Sequence, residues 1–157
     1  GGGRFESAAE LAEAVLSHWP GGPGPESGVA RPLVVCTGGE PLLQLDAAAV
    51  AAFRERECEI AVETNGTLEA PADLDWICVS PKAGAPLVLT SGDEIKLVYP
   101  QDGAPPEQYE HLEFDHFFLQ PMDGPERARN TKRAVEYCLA HPRWRLSLQT
   151  HKYLGID

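Results

Sequence analysis

Two adjacent glycines, a glutamate and a proline, Gly38, Gly39, Glu40 and Pro41, stand where the apolar run "LVVC" stops and a helical pattern begins. Without side chains, the carbonyl and amide groups of the two glycines can touch a ligand directly. A carboxylate held beside a rigid proline suits an ammonium group or another cation. The plain reading is a tight turn into the helix that Asp46 caps, but this leaves Glu40 and Pro41 unexplained. Four further polar clusters follow apolar runs: "ETNGT", "SPK", "QPMDGP" and "QTHKY". Each has its own plain reading. Ser80 and Pro81 can simply end a strand, since proline cannot continue a ladder. Lys82 can be a solvated charge, Met122 core filler and His151 a structural histidine. Glu63, Thr64 and Asn65 can be a strand terminus with its turn. Trp76 and Trp144 read as core or interface anchors.

The elements that must position these groups follow from periodicity. "ESAAELAEAVLSHW" has Ser7 three residues before Glu10, a capping box, and puts Leu11, Val15, Leu16 and Trp19 on one helical face. Residues 20–32, "PGGPGPESGVARP", are too rich in proline and glycine for a helix or central strand and read as a surface connector. "LVVC" reads as a strand covered on both faces. Asp46 caps a helix over "AAAVAAFRERE", and "EIAVETNG" returns as a strand ended by Asn65 and Gly66. Further strands are expected over "WICVS", "IKLVY", "HFFLQP" and "WRLSLQT", with a helix over "ARNTKRAVEYCLAH". Six strands and three helices, mostly alternating, predict an α/β fold with a parallel sheet. In such sheets ligands bind beyond the carboxyl ends of the strands, which is where all five polar clusters fall.

Composition narrows the partners. The chain has 157 residues, enough for one domain with a sizeable core, and 43% hydrophobic residues, so a folded protein is expected. Thirteen Lys and Arg against 24 Asp and Glu give a formal charge of -11, which disfavours nucleic acid and anionic membrane surfaces. No apolar run approaches the roughly 20 residues that span a bilayer, and a cytoplasmic location is expected. Cys36, Cys58, Cys78 and Cys138 lie far apart and read as inert core thiols; a metal site would want a close pair. The opening "GGG" reads as a linker, so the expectation is one domain over 1–157 that lacks an N-terminal segment.

The ordered blocks "TGGEP", "VETNGT", "VSPK", "EIKLVYPQ", "FFLQPMDGP" and "LSLQTHKYLGID" resemble those of the 7-carboxy-7-deazaguanine synthase family of radical S-adenosylmethionine enzymes. The resemblance runs from "RFESAAELAEAVLSHWP" to Asp157. It implies a partial, open β/α barrel of the radical S-adenosylmethionine type, with mostly parallel strands and few helices. It also implies contacts to S-adenosylmethionine from Gly38, Gly39 and Glu40, which would meet the methionine amino group, from Ser80, Pro81 and Lys82, and from Gln120, Pro121, Met122 and Asp123. Thr37 and His151 match substrate contacts, and the C-terminal carboxylate, here that of Asp157, would bind substrate as well. Further implied are a [4Fe-4S] cluster, Mg2+, a 6-carboxy-5,6,7,8-tetrahydropterin substrate, a flavodoxin-type electron donor and a homodimer.

The sequence departs from that family in one respect. Its members hold the cluster on a three-cysteine loop ending in CxxC, with a neighbouring threonine for magnesium, and neither occurs here. As written, the chain is expected to be inactive alone. Two rival readings stay open on the residues: another radical S-adenosylmethionine enzyme, such as a glycyl-radical activase, and a cluster-free binding or interaction module.

Overall fold

The computed structural model describes residues 3–19 and 31–156; Asp157 and most of the expected connector, 20–30, lie outside the described residues. Two compact units divide the chain, Gly1–Thr64 with Leu68–Ile77, and Asn65–Thr67 with Cys78–Asp157. The fold class is the expected one. The strands are β1 (Leu33–Cys36), β2 (Glu59–Thr64), β3 (Trp76–Val79), β4 (Ser91–Tyr99), β5 (Glu113–Pro121) and β6 (Trp144–Leu146). They follow chain order in one open sheet, β1-β2-β3-β4-β5-β6. The pairs β1·β2, β3·β4, β4·β5 and β5·β6 are all parallel.

In the first unit, α1 (Ala8–Leu16) starts where the capping box placed it, with Ser7 Oγ accepting the Glu10 amide at 3.1 Å. α2 (Ala47–Arg54) is capped by Asp46, whose carboxylate accepts the Ala49 amide at 2.8 Å. It is the crossover that parallel pairing of β1 and β2 requires. Ala12, Leu16, Leu45, Val50, Phe53, Ile60 and Val62 are buried together, with Val34 and Cys36 against them. β1 corrects an expectation: among the described residues it is covered on one face, and Leu33 and Val35 are 52% and 48% exposed. Four consecutive apolar residues carry no alternation, so their pattern could not distinguish one covered face from two.

A partly exposed ion pair in this unit fixes the approach to β3. The Asp75 carboxylate accepts the Ile60 amide at 2.7 Å and pairs with Arg54 at 2.8 Å, while the Arg54 guanidinium also donates to the Asp73 carbonyl. Burial alone would raise the Asp75 carboxyl, but the Ile60 amide and Arg54 outweigh it and hold the group below its ordinary value. A carboxyl depressed by folding stabilises the fold fully above its unfolded pKa, and that stabilisation is lost as pH falls through the folded value. Asp75→Asn should therefore lower stability by about 1 kcal/mol at neutral pH, the pair being partly exposed. Urea midpoints measured from pH 6 to pH 3 should show the variant and parent converging as acid protonates Asp75; a gap that widens toward acid would contradict the assignment.

In the second unit the crossovers from β3 to β4 and from β4 to β5 carry no α-helix, only the single 3-10 turn Pro106–Tyr109. α3 (Arg127–Ala140) links β5 to β6 and buries Asn130 and Ala134. Val79, Ile95, Leu97, Phe117, Leu119 and Trp144 are each 2% exposed or less. A second correction falls at the C-terminus. The expected strand over "WRLSLQT" stops at Leu146, and a fourth helix, α4 (Thr150–Leu154), takes Thr150 and His151. Among the described residues no helix is long and apolar enough to cross a membrane.

Candidate functional site

In the first unit the candidates Thr37 to Glu40 follow β1, at the common carboxyl edge of β1 and β2. Cys36 pairs with Val62, so the chain leaving β1 runs beside Glu63 and Thr64 at the end of β2. Thr37 is exposed there. Gly38 has φ +125, a conformation that side chains rarely adopt, which gives a backbone reason for glycine at that position. Gly39 has no such reason: a Cβ built on it meets nothing within 4 Å. Among the described residues nothing packs against the missing side chain at 39, so the backbone there is open to a ligand.

Glu40 is held from two sides. Its Oε1 accepts the Leu42 amide at 3.0 Å, capping the 3-10 turn Pro41–Leu43, and accepts the Thr64 hydroxyl at 2.6 Å. Thr64 is 3% exposed, so this bond lies in a setting where water competes poorly and the carboxylate keeps one orientation. Thr64 read as a strand-end residue; its role as the partner that aims Glu40 is visible only once β1 and β2 are paired.

The second unit places the other candidates after β3, at the end of β5 and on α4. Ser80 is partly buried, Pro81 is buried and Lys82 is exposed, with Lys82 Nζ donating to Ser80 Oγ at 3.1 Å. Pro81 and Lys82 line a cavity of about 280 Å³ with Asn65, Leu87, Tyr109 and His111. The last two were not anticipated, since they sit in an irregular crossover with no pattern to mark them. Gln120 and Pro121 are the final residues of β5, paired with Val98 and Tyr99. Met122 is 37% exposed, which excludes the core-filler reading. Its amide donates to the Tyr99 carbonyl at 2.8 Å, and its own carbonyl accepts from the buried Asn130 side chain at 3.0 Å, so α3 latches this block from behind. The Asp123 carboxylate does not point to an open site: Lys152 Nζ lies 2.5 Å from it. His151 is exposed on α4. Pro81 and Lys82 thus line one cavity, whereas Pro121 lines another, a narrow cleft with Arg127, Leu148, Gln149, Lys152 and Tyr153.

No protein-family model matches the chain. Individual proteins do. A 7-carboxy-7-deazaguanine synthase of Caulobacter vibrioides is 62% identical over 155 residues, 99% of this chain and 71% of that protein. The chain belongs to the 7-carboxy-7-deazaguanine synthase family. A synthase of the same name from Bordetella pertussis is 58% identical over 156 residues, again 99% of this chain and 71% of the relative. The crystal structure of QueE from Escherichia coli superposes with a TM-score of 0.65 at 26% identity, covering 90% of this chain and 63% of that one. The chain thus spans less than two thirds of that solved structure.

Membership in the 7-carboxy-7-deazaguanine synthase family brings S-adenosylmethionine and an iron–sulfur cluster as cofactors. The open backbone at Gly39 and the fixed carboxylate of Glu40 fit the amino-acid end of S-adenosylmethionine. The described residues do not fit the cluster. No three His, Cys, Asp or Glu side chains gather as a metal-binding group among them. Burial raises the thiols of Cys36, Cys58 and Cys138, which opposes the thiolate form that iron requires. The Cys78 thiol lies 3.4 Å from a Glu94 carboxylate oxygen. Cys58 and Cys78 are buried, as expected of core thiols, whereas Cys36 and Cys138 are only half-buried.

Proposed function

We propose that this chain carries the cofactor- and substrate-binding part of a radical S-adenosylmethionine lyase that converts 6-carboxy-5,6,7,8-tetrahydropterin to 7-carboxy-7-deazaguanine with loss of ammonia, in queuosine and 7-deazapurine biosynthesis. Its near-complete match to synthases of that name supports the reading. The observation in the fold that carries it is the Gly38-Gly39-Glu40 turn, with its unobstructed backbone at Gly39 and its carboxylate aimed by Thr64. When bound, S-adenosylmethionine supplies the group that abstracts hydrogen from the pterin; the protein's part is to bind, orient and keep charge in place.

In this reading the glycine carbonyls and Glu40 accept the ammonium protons of S-adenosylmethionine, a charge-assisted contact that a neutral side chain could not replace. Ser80, Pro81 and Lys82, with Gln120, Pro121 and Met122, hold the remainder of the cofactor. Asp123 contributes through its main chain, because its carboxylate is taken by Lys152. Thr37, His151 and Asp157 are the residues read as contacts to the pterin. A chain of net charge -11 binding a carboxylated substrate would gain from a local cation such as Mg2+, for which the described residues gather no ligand group. A flavodoxin-type donor, a homodimer and a cytoplasmic setting complete the proposal.

The test uses two variants that the fold tolerates. Gly39→Ala places a methyl group in open space, and Glu40→Gln keeps an oxygen for Leu42 and Thr64 while removing the charge. Both should retain the parent's melting temperature and weaken S-adenosylmethionine, measured by titration calorimetry, by about tenfold, equivalent to roughly 1.4 kcal/mol. Parental affinity in both variants would remove the assignment of this turn.

A further inference from the structure

The C-terminal helix is held in place by very little of what usually fixes a helix. α4 has five residues, Thr150–Leu154, too few to persist alone, and none of them is buried. Leu154 and Ile156 are 67% and 59% exposed, so among the described residues neither serves as an apolar anchor. Among the described residues, two side-chain contacts reach it from the segment that follows β5. Lys152 Nζ lies 2.5 Å from Asp123 Oδ2, and the Arg127 guanidinium carbon sits 5.1 Å from the centre of the Tyr153 ring. The Lys152 hydrogen bond, followed by the Gly124 amide, also holds the Asp123 carboxyl below its usual range, in keeping with a formed ion pair. Ion pair and cation–π contact grip adjacent residues of α4, so together they restrain its rotation as well as its distance.

We propose that Asp123 and Arg127 form a clasp that closes on Lys152 and Tyr153 and thereby positions His151 for the pterin; Lys152, Tyr153 and Arg127 are positioning residues for substrate. This rests on the reading of His151 as a substrate contact given above. The clasp begins at the last residue of the Gln120–Asp123 block, so the segment proposed to hold the cofactor also sets the tail proposed to hold the substrate. Lys152 is adjacent to His151 in sequence, and a shift of Lys152 necessarily moves it.

Hydrogen–deuterium exchange of amides 150–156 and the dissociation constant of 6-carboxy-5,6,7,8-tetrahydropterin, titrated with S-adenosylmethionine present, test it together. Lys152→Met should speed exchange in 150–156 and weaken pterin binding about two- to fivefold, the range of a partly exposed ion pair. Adding Tyr153→Leu should bring the combined loss to about tenfold. Lys152→Arg, which keeps the charge, should restore both readouts, as a merely structural lysine stem would not require. Unchanged exchange in Lys152→Met would overturn the clasp. Faster exchange with parental pterin affinity would overturn its positioning role. His151→Ala separates the two ideas: weakened pterin binding there, beside a null result for Lys152→Met, leaves the substrate reading standing and removes only the clasp, whereas parental binding in His151→Ala removes the substrate reading itself.

Discussion

Trp144→Ala is expected to lower stability by about 3–5 kcal/mol, the largest loss from any single truncation considered. Trp144 opens β6 and is 2% exposed. Its ring meets Phe117 edge-on at 5.2 Å, and its indole N–H donates to the Glu110 carboxylate at 3.0 Å. Phe117 pairs with Trp144 across β5 and β6 and also carries the Arg143 guanidinium 3.9 Å above its ring. Removing the indole opens a cavity beside β5, the strand that β6 pairs with, and leaves Glu110 without that donor. Because β6 leads directly into α4, the same loss should loosen the tail that carries His151. Trp144→Phe separates packing from hydrogen bonding: it keeps most of the aromatic volume and should cost about 1–2 kcal/mol. Urea denaturation of the two variants and the parent measures both, and an alanine variant within 1 kcal/mol of the parent would remove Trp144 from the core of this unit.

Gly66→Ala should be the second most damaging change, at roughly 2–4 kcal/mol from backbone strain and overpacking combined. Gly66 has φ +76, and an added Cβ would come 2.7 Å from both the Leu87 and Val79 side chains. The turn cannot relax freely, since Asn65 Oδ1 accepts the Thr67 amide at 2.9 Å and the Gly66 carbonyl accepts the Val88 and Leu89 amides. Leu87 and Asn65 both line the cavity that holds Pro81 and Lys82, so relief of the clash should distort that wall as well. Gly84→Ala is the matched control, with φ +75 but nothing within 4 Å. It should show the strain alone, about 1–2 kcal/mol. Equal destabilisation of the two variants by thermal melting would show that the contacts to Leu87 and Val79 contribute nothing.

These expectations mark where local pattern ends. The caps at Ser7 and Asp46 were legible because each is a bond between residues three apart, so the signal and the contact lie in the same short window. The strand–helix–strand order of β1, α2 and β2 was legible for a related reason: period and breakers are properties of consecutive residues. The placement of polar clusters after strands followed from these, and so did the likeness of the "TGGEP", "SPK" and "QPMD" blocks to one family.

Other features joined residues that no window contains. The Thr64 hydroxyl that aims Glu40 lies 24 positions away, and Lys152, which takes the Asp123 carboxylate, lies 29 positions away. Both depend on which strands pair and in what register, a matter decided by burial across the sheet rather than by any neighbour in the chain. Asp123 shows the limit clearly. Its motif marks it as a cofactor contact, yet its carboxylate belongs to an ion pair with the tail, because tertiary structure brings Lys152 to it. β1 shows the same limit in packing: "LVVC" states that the strand is apolar, and only the assembled unit decides that Val34 and Cys36 face the core while Leu33 and Val35 stay exposed. Sequence by itself determined the elements from α1 to α3, the caps at Ser7 and Asp46 and the family to which the loops belong, but not α4. Tertiary structure decided which side chains are held, by whom, and with what left to offer a ligand, since desolvation and hydrogen-bond partners exist only once distant segments meet.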